Sequence, residues 1–526
     1  MSKIVILDGN SLTIEELFNI SFNNYKIELS KDKKFINRLL KSRNILEKFI
    51  DKGYPVYGVT TGFGDSCHNQ INAAKTERLQ ESLVNFHGIG VGEVFSEAES
   101  RAVILARLNS NIKGYSAIRI EVADLMKELL NRDISPVIPE LGSVGASGDL
   151  TPLSYLAAVL MGKRRVYYKN KITGTGTAFK KEKLTPLKLQ AKEGLALMNG
   201  TSVMTAVAAL CWSHAEKLSH ISDFISGVTV EILGGNDIPY RRKVSEIKNH
   251  NGQIESAGYI KQVIKDSGRV IKYEYLLNDL GTLKGDNFRK TDVKIQDRYS
   301  LRCSPQINGV MRDTLAFTKC WIENELNSAN DNPLIDPDEG IIYNSGNFYG
   351  GHICAACDYL RTSIANIADL SEKQAELIID GKYNNLTENL IPKIPEDSED
   401  KGLFHGFKAA QISISALCSE INYMASPVSI HSRPTESHNQ DKVSLGTISS
   451  RKLREVLELL YYQYSIHLLA VCQAMDLIGT GEFGTFARKV YGEIRKISRF
   501  VKEDRPLDED VNAVKTFLKK TDLFNF

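Results

Sequence analysis

Three glycine-dense segments and two polar clusters are where this chain can do chemistry. Tyr57-Gly-Val-Thr-Thr-Gly-Phe-Gly64 and Gly142-Ser-Val-Gly-Ala-Ser-Gly-Asp149 each hold three glycines in eight residues, and His87-Gly-Ile-Gly-Val-Gly92 holds three in six. Glycine admits positive φ and lets a ligand come close to the backbone, so such segments suit the wall of a pocket. They do not suit a dinucleotide. The run from Gly88 to Gly92 lacks the phosphate-cradling spacing, no strand signal precedes it, and no Walker lysine follows any of the loops. Gln296-Asp-Arg-Tyr-Ser-Leu-Arg302 sets a Gln, a Tyr and an Arg close together ahead of a helical run from Pro305. A planar guanidinium at a helix start suits bidentate binding of a carboxylate, and an ion-paired surface arginine is the plainer alternative. Glu436-Ser-His-Asn-Gln440 precedes a long helical pattern and reads equally as a capping loop or a site loop. Cys354-Ala-Ala-Cys357, with His352 close by, has metal-ligand spacing, but zinc needs four ligands and no second pair exists. These thiols read as small core hydrophobes, and no metal is expected.

The elements that must position these groups are long helices. Leu453, Val456, Leu457, Leu460, Tyr464, Leu468, Val471, Met475 and Ile478 recur at steps of three and four, and neither Gly nor Pro lies between Gly446 and Gly479. A helix of about 32 residues spans about 48 Å. Residues 353–380 read the same way, as do 193–222 apart from Gly194 and Gly200. Helices of this length bury a stripe against one another. The expected class is therefore mainly α, a long-helix bundle beside a loop- and glycine-rich N-terminal region. The expected divisions are 1–200 for that region, 201–504 for the bundle and 505–526 for a C-terminal tail with one short helix. Residues 163–168 and 340–343 read as short hairpin arms, and 382–401 as a surface loop.

Composition bounds the partners. In 526 residues, 66 Lys and Arg against 64 Asp and Glu give a formal charge of +2, too small a field for a dedicated nucleic-acid binder. The apolar runs at 156–161 and 203–212 are too short to span a bilayer, and the start of the chain has no signal-peptide core, so a cytoplasmic protein without a membrane partner is expected.

The segment Gly145-Ala-Ser-Gly-Asp-Leu-Thr-Pro-Leu-Ser-Tyr155 closely resembles the signature of the aromatic amino acid ammonia-lyases and 2,3-aminomutases, the histidine, phenylalanine and tyrosine lyase family. The resemblance runs over roughly residues 4–500. Tyr57 to Gly64, Glu193-Gly-Leu-Ala-Leu-Met-Asn-Gly-Thr201, Gln296 to Arg302, Asn327-Ser-Ala-Asn-Asp-Asn-Pro333 and Gly346-Asn-Phe-Tyr-Gly350 resemble further family motifs, in the family's order. It implies a fumarase/aspartase-like helical architecture and a homotetramer with active sites shared between subunits. It also implies a prosthetic group, 4-methylideneimidazol-5-one (MIO), made autocatalytically from Ala146, Ser147 and Gly148, with no metal or nucleotide. Such chemistry needs these residue types. The Gly148 nitrogen must reach the Ala146 carbonyl carbon through a tight turn, and Ser147 must lose its hydroxyl.

The roles implied are specific. Tyr57 is the base that takes the β-proton, its phenol shifted down or paired by nearby helix N-termini. Tyr299 is the second acid/base group. Arg302, helped by Asn347, fixes the substrate carboxylate. Asn199 and Gln296 hydrogen-bond the electrophile, Glu436 and Gln440 lie near the amine and the prosthetic ring, and Phe348 joins the substrate pocket. Phe86 and His87 occupy the pair that reports on the substrate ring, and Phe-His matches no familiar pairing cleanly. Gln440 stands where histidine lyases resembling this chain place a carboxylate, which favours tyrosine or phenylalanine over histidine as substrate. The expected product is the trans-2-enoic acid plus ammonia. The alternatives are urocanate from histidine, or return of the amine to Cβ by an aminomutase.

Overall fold

The computed structural model describes residues 3–285, 287–291 and 294–525. The helices that matter to the site are α1 (Thr76–Phe86), α2 (Glu97–Asn111), α3 (Leu150–Leu160), α4 (Glu193–Met198), α5 (Ser202–Leu233), α6 (Ser304–Leu326), α7 (Gly351–Ile379), α8 (Gly446–Ile478) and the C-terminal α9 (Asp508–Lys520). The expected helix without Gly or Pro is α8, with Leu453, Val456, Leu460, Tyr464, Leu468, Val471 and Met475 all buried. The expected helix over 193–222 is two helices. The chain breaks at Asn199 and Gly200, where Gly200 has φ +148 and a Cβ would overlap the guanidinium of Arg107 and the amide of Asn330.

Two compact units partition the chain: residues 1–213, 318–358 and 427–454 form one, and 214–317, 359–426 and 455–526 form the other. Four of the five divisions fall within α5, α6, α7 and α8, and the fifth, at 426/427, lies between helices. The second unit is a helix bundle with polar cross-links inside an apolar core. Gln374 donates to Ser226 at 3.0 Å, Ser222 to Asn308 at 2.9 Å and Gln463 to the Ala368 carbonyl at 2.7 Å. Buried amides and hydroxyls placed this way fix helix register, because a slip would strand each of them.

Among the described residues the first unit carries nine short strands. β1 (Ile4–Leu7) runs parallel to β2 (Lys26–Leu29); β3 (Val91–Val94) pairs antiparallel with β5 (Pro139–Leu141). The expected arm at 163–168 is β6 (Arg165–Tyr168), flanked by β4 (Ile134–Pro136) and β7 (Lys171–Gly174). The arm at 340–343 reduces to β9 (Ile342–Tyr343), paired with β8 (Leu334–Ile335). β5 ends where the glycine-rich segment from Gly142 begins, and α3 starts where it ends, so the loop is held at both ends. α2 is capped by a reciprocal Ser96–Glu99 box and is buried on every side from Glu99 to Asn111, including Arg107. No helix among the described residues is long and apolar enough to cross a membrane.

Candidate active site

The loop that bears Ala146, Ser147 and Gly148 is fastened to the segment before α8. Ser444 N–H donates to the Gly145 carbonyl at 3.1 Å, Leu445 N–H to the Val144 carbonyl at 3.0 Å, and Ala146 packs with Val443 and Leu445. Asp149, fully buried, ties the loop's end to two helix starts. Its carboxylate accepts from Met204 N–H at the start of α5 at 2.8 Å, from Ser143 Oγ at 3.0 Å, and from the Thr447 hydroxyl at the start of α8. Burial pushes its carboxyl above the ordinary range, and these donors oppose that shift. Helix N-termini carry partial positive charge, so the triplet sits where developing negative charge is favoured.

The triplet itself is restrained for a backbone reaction. Gly148 has φ +72, and a Cβ there would overlap the backbone of Gly200. On one side of it, Asn199 Nδ2 donates to the Ser147 carbonyl at 2.7 Å; on the other, Asp149 N–H donates to the Gly200 carbonyl at 2.7 Å. Among the described residues the Ser147 hydroxyl has a single long contact, from Gln440 Nε2 at 3.4 Å. A glycine that tolerates no side chain, next to a serine whose hydroxyl is barely engaged, fits the cyclised, dehydrated group that these three residues would form.

Ala146 and Ser147 open into a cavity of about 1150 Å³, whose wall includes Tyr57, Phe86, His87, Asn199, Phe348, Glu436 and Gln440. Tyr57 is placed by Gln80, a buried side chain that donates to the Gly58 carbonyl at 2.8 Å and accepts from Leu195 N–H at 2.9 Å. Gly64 N–H, at the start of the 3-10 turn Gly64–His68, donates to Tyr57 Oη at 2.8 Å. This is the expected pairing with backbone donors, but it does not prevail. Burial holds the phenol above its usual value of about 10, the Gly64 N–H lowers it, and Cys67 and Glu436 raise it. Glu436 is held by Asp65 N–H at 3.0 Å and Asn439 Nδ2 at 3.0 Å, in a turn where Glu436, Ser437 and His438 are all left-handed, with φ of 47, 53 and 60. Three consecutive non-glycine residues in that region cost roughly 1–2 kcal/mol each. The segment before α8 is thus a site loop and not a helix cap; Gln440, closing its hairpin with Thr435, also takes the Thr435 hydroxyl at 2.8 Å. One consequence is directly measurable. Glu436→Gln removes a negative charge that disfavours the phenolate in the free enzyme, so the rising limb of the pH profile of kcat/KM should move to lower pH even as turnover drops. An unmoved limb would mean that Tyr57 is not the group that titrates.

His87 is half-buried, with its ring 4.2 Å from that of Phe86. Its Nδ1 lies 3.1 Å from the Leu83 carbonyl, which can only accept, so Nδ1 carries the proton and Nε2 keeps a lone pair. Burial lowers its pKa, so the ring is neutral near pH 7.

Five expected site residues do not line this cavity, Gly148 of the triplet among them. Asn347 directs its amide to the Ala329 carbonyl at 3.2 Å, while its neighbours Gly346 and Phe348 line the wall. Gln296, Tyr299 and Arg302 belong to the second unit. There Tyr299 is 71% exposed on the single turn Tyr299–Arg302, and the Arg302 guanidinium stacks 4.6 Å from its ring. Cys354 and Cys357 are buried in α7, and no cluster of three or more His, Cys, Asp or Glu among the described residues could hold a metal. Asn330, which accepts from Arg107, falls within the Asn327–Pro333 segment, but Gln80, Cys67 and Arg107 were not singled out in the sequence. Nothing in their spacing separates them from ordinary helix and loop residues.

Comparison with known proteins agrees over nearly the whole chain. Residues 12–496 match the family model described as aromatic amino acid lyase. A histidine ammonia-lyase of Alkaliphilus oremlandii is 36% identical over 510 residues, covering 97% of this chain and 96% of the relative. Among solved structures, tyrosine aminomutase from Streptomyces globisporus superposes with a TM-score of 0.93 at 32% identity, covering 99% of this chain and 97% of the other. The phenylalanine aminomutase of Pantoea agglomerans gives 0.91 at 31%, covering both chains fully.

Proposed function

The chain belongs to the aromatic amino acid lyase family and is a carbon–nitrogen lyase, and we propose that it removes ammonia from L-histidine to form urocanate. The observation that carries the substrate is the Nε2 lone pair of His87. With Nδ1 committed to Leu83, the ring offers an acceptor and no donor, which suits a substrate ring bearing N–H or O–H and leaves phenylalanine without a partner. The names of the curated relatives move the weight to histidine, against the expectation drawn from Gln440. A second reading, tyrosine, draws on Gln440 itself. Its uncharged amide stands where a carboxylate would pair with a cationic imidazole, and a phenol needs no such partner.

Ala146, Ser147 and Gly148 are read as the source of a 4-methylideneimidazol-5-one group. Once formed, it supplies an electrophile that makes the α-amino group a better leaving group. The chain's own side chains do the rest. Glu436 holds the substrate ammonium and takes a proton from it, which also relieves the repulsion that raises the Tyr57 pKa. Tyr57 Oη, as phenolate steadied by Gly64 N–H, takes the β-proton. Asn199 holds the Ser147 carbonyl, and the leucines of the wall, Leu79, Leu83, Leu150 and Leu195, keep water from the ring. Gln296, Tyr299 and Arg302 are read as completing the cavity of another copy in a homotetramer, with Arg302 binding the carboxylate; the exposure of Tyr299 supports this.

The deciding measurement is the rate of conjugated-acid formation, by ultraviolet absorbance, from L-histidine, L-tyrosine and L-phenylalanine. Urocanate should form fastest. His87→Leu should cut kcat/KM for histidine by about 10- to 100-fold, the cost of an unmet buried donor. Faster formation of 4-coumarate would select the second reading, and accumulation of a β-amino acid would make the protein an aminomutase.

A further inference from the structure

Behind the triplet lies a fully buried arginine that none of the roles above uses. Arg107, from α2, directs Nη1 to the Asn199 carbonyl at 3.0 Å and to Asn330 Oδ1 at 3.1 Å, and Nη2 to Ser110 Oγ at 3.2 Å. Its guanidinium occupies the hollow that the absent side chain of Gly200 leaves. Its charge has company: Lys192 and Asp331, both fully buried, pair at 2.7 Å alongside. Burying an arginine is costly, and replacing such charges with apolar groups often stabilises a fold. Stability alone is therefore a poor account of this one.

The atoms that Arg107 holds are those that grip the triplet. Asn199 binds the Ser147 carbonyl through its side chain while its own carbonyl is bound by Arg107; the next residue, Gly200, accepts from Asp149 N–H. Both flanks of Gly148 are thus tied to two adjacent residues whose anchor is the guanidinium. Among the described residues the Gly148 N–H itself makes no hydrogen bond. The nitrogen that must attack is left uncommitted while the peptides on either side of it are clamped.

We propose that Arg107 is a positioning residue for ring closure of Ala146-Ser147-Gly148, holding the Asn199–Gly200 turn as the template against which Gly148 is pressed. The inference rests on the prosthetic-group reading. In the closure, a bond forms between Gly148 N and the Ala146 carbonyl carbon. The carbonyl oxygen leaves as water with the Gly148 and Ser147 amide protons. The Ser147 hydroxyl then leaves with the Cα proton as a second water, and no oxidant is needed. Template geometry of this kind acts on the rate of an intramolecular step.

The test follows the loss of two waters by intact mass, in purified protein and during refolding of denatured, unmodified chain. Arg107→Lys keeps the charge but loses the fork. It should remain folded by circular dichroism yet lose the two waters at least about tenfold more slowly than wild type, the effect of removing a charged hydrogen bond. Asn330→Ala, which removes one of the two oxygens on Nη1, should slow the loss by less, and it decides the matter if Arg107→Lys is insoluble. Folded variants that dehydrate at the wild-type rate would overturn the proposal and leave the prosthetic group standing. A wild-type protein that keeps both waters would overturn the group itself, and this inference with it.

Discussion

Ser147→Ala is expected to lower turnover about a thousandfold or more while leaving the fold intact. The two halves of that statement come from the same observation. Among the described residues the Ser147 hydroxyl has only its 3.4 Å contact with Gln440, so removing it should change stability by less than about 1 kcal/mol. The hydroxyl is also what must depart to leave an exocyclic methylidene, and alanine has nothing to lose there. Without the electrophile, ammonia must leave an ordinary carbon, and only binding and the Tyr57 base remain, which accounts for an effect on the scale of removing a covalent catalyst. Initial rates and a thermal melt on the same preparation check both halves. A variant that keeps a tenth of wild-type activity would take the triplet out of the chemistry.

The second large effect is a recovery. Tyr57→Phe and Arg302→Ala should each be nearly inactive, the first for want of a base and the second for want of a carboxylate anchor. If each site takes Tyr57 from one copy and Arg302 from another, random mixing of the two variants leaves about a quarter of sites with both wild-type residues. Co-expressed or co-refolded mixtures should then show about a quarter of wild-type turnover. Sites built within one chain would give none, and an active monomer by light scattering would refute the shared-site reading altogether.

How much of this was legible in the sequence differs by kind of residue. The helix Gly446–Ile478 announced itself because buried apolar residues recur at helical spacing with no breaker between them. The triplet and the Tyr57 loop were legible because glycines there meet real constraints: at Gly148 and Gly64 a side chain would strike neighbouring atoms. The break between α4 and α5 was hidden, because a single glycine inside an apolar run says nothing about the arginine that occupies its hollow. Arg107, Lys192 and Asp331 were hidden for a related reason. Charged residues read as solvent-facing until the fold shows them paired with one another, 331 and 192 meeting across 139 positions. The rise in the Tyr57 pKa was also out of reach, since it is set mainly by burial, with Cys67 and the Glu436 carboxylate, remote in the chain, adding to it. The pair Phe86-His87, expected to report on the substrate ring, was visible, but which nitrogen of His87 faces the cavity depends on a carbonyl four residues earlier.

The closeness of Gly64 and Glu436 bears on how this cavity can diverge. A Cβ at 64 would overlap the Glu436 carboxylate, and Glu436 sits in a left-handed turn that accepts few side chains cheaply. The two positions are therefore one unit of variation. A residue other than glycine at 64 would be strained at φ +56 and would push the Glu436 carboxylate aside, so among descendants of this sequence it should coincide with a change at 436. A library that randomises Glu436 while holding Gly64 samples only shapes that fit the existing hollow. Opening new substrate shapes on the Tyr57 side requires varying both stretches together, with asparagine and glycine offered at 437 and 438.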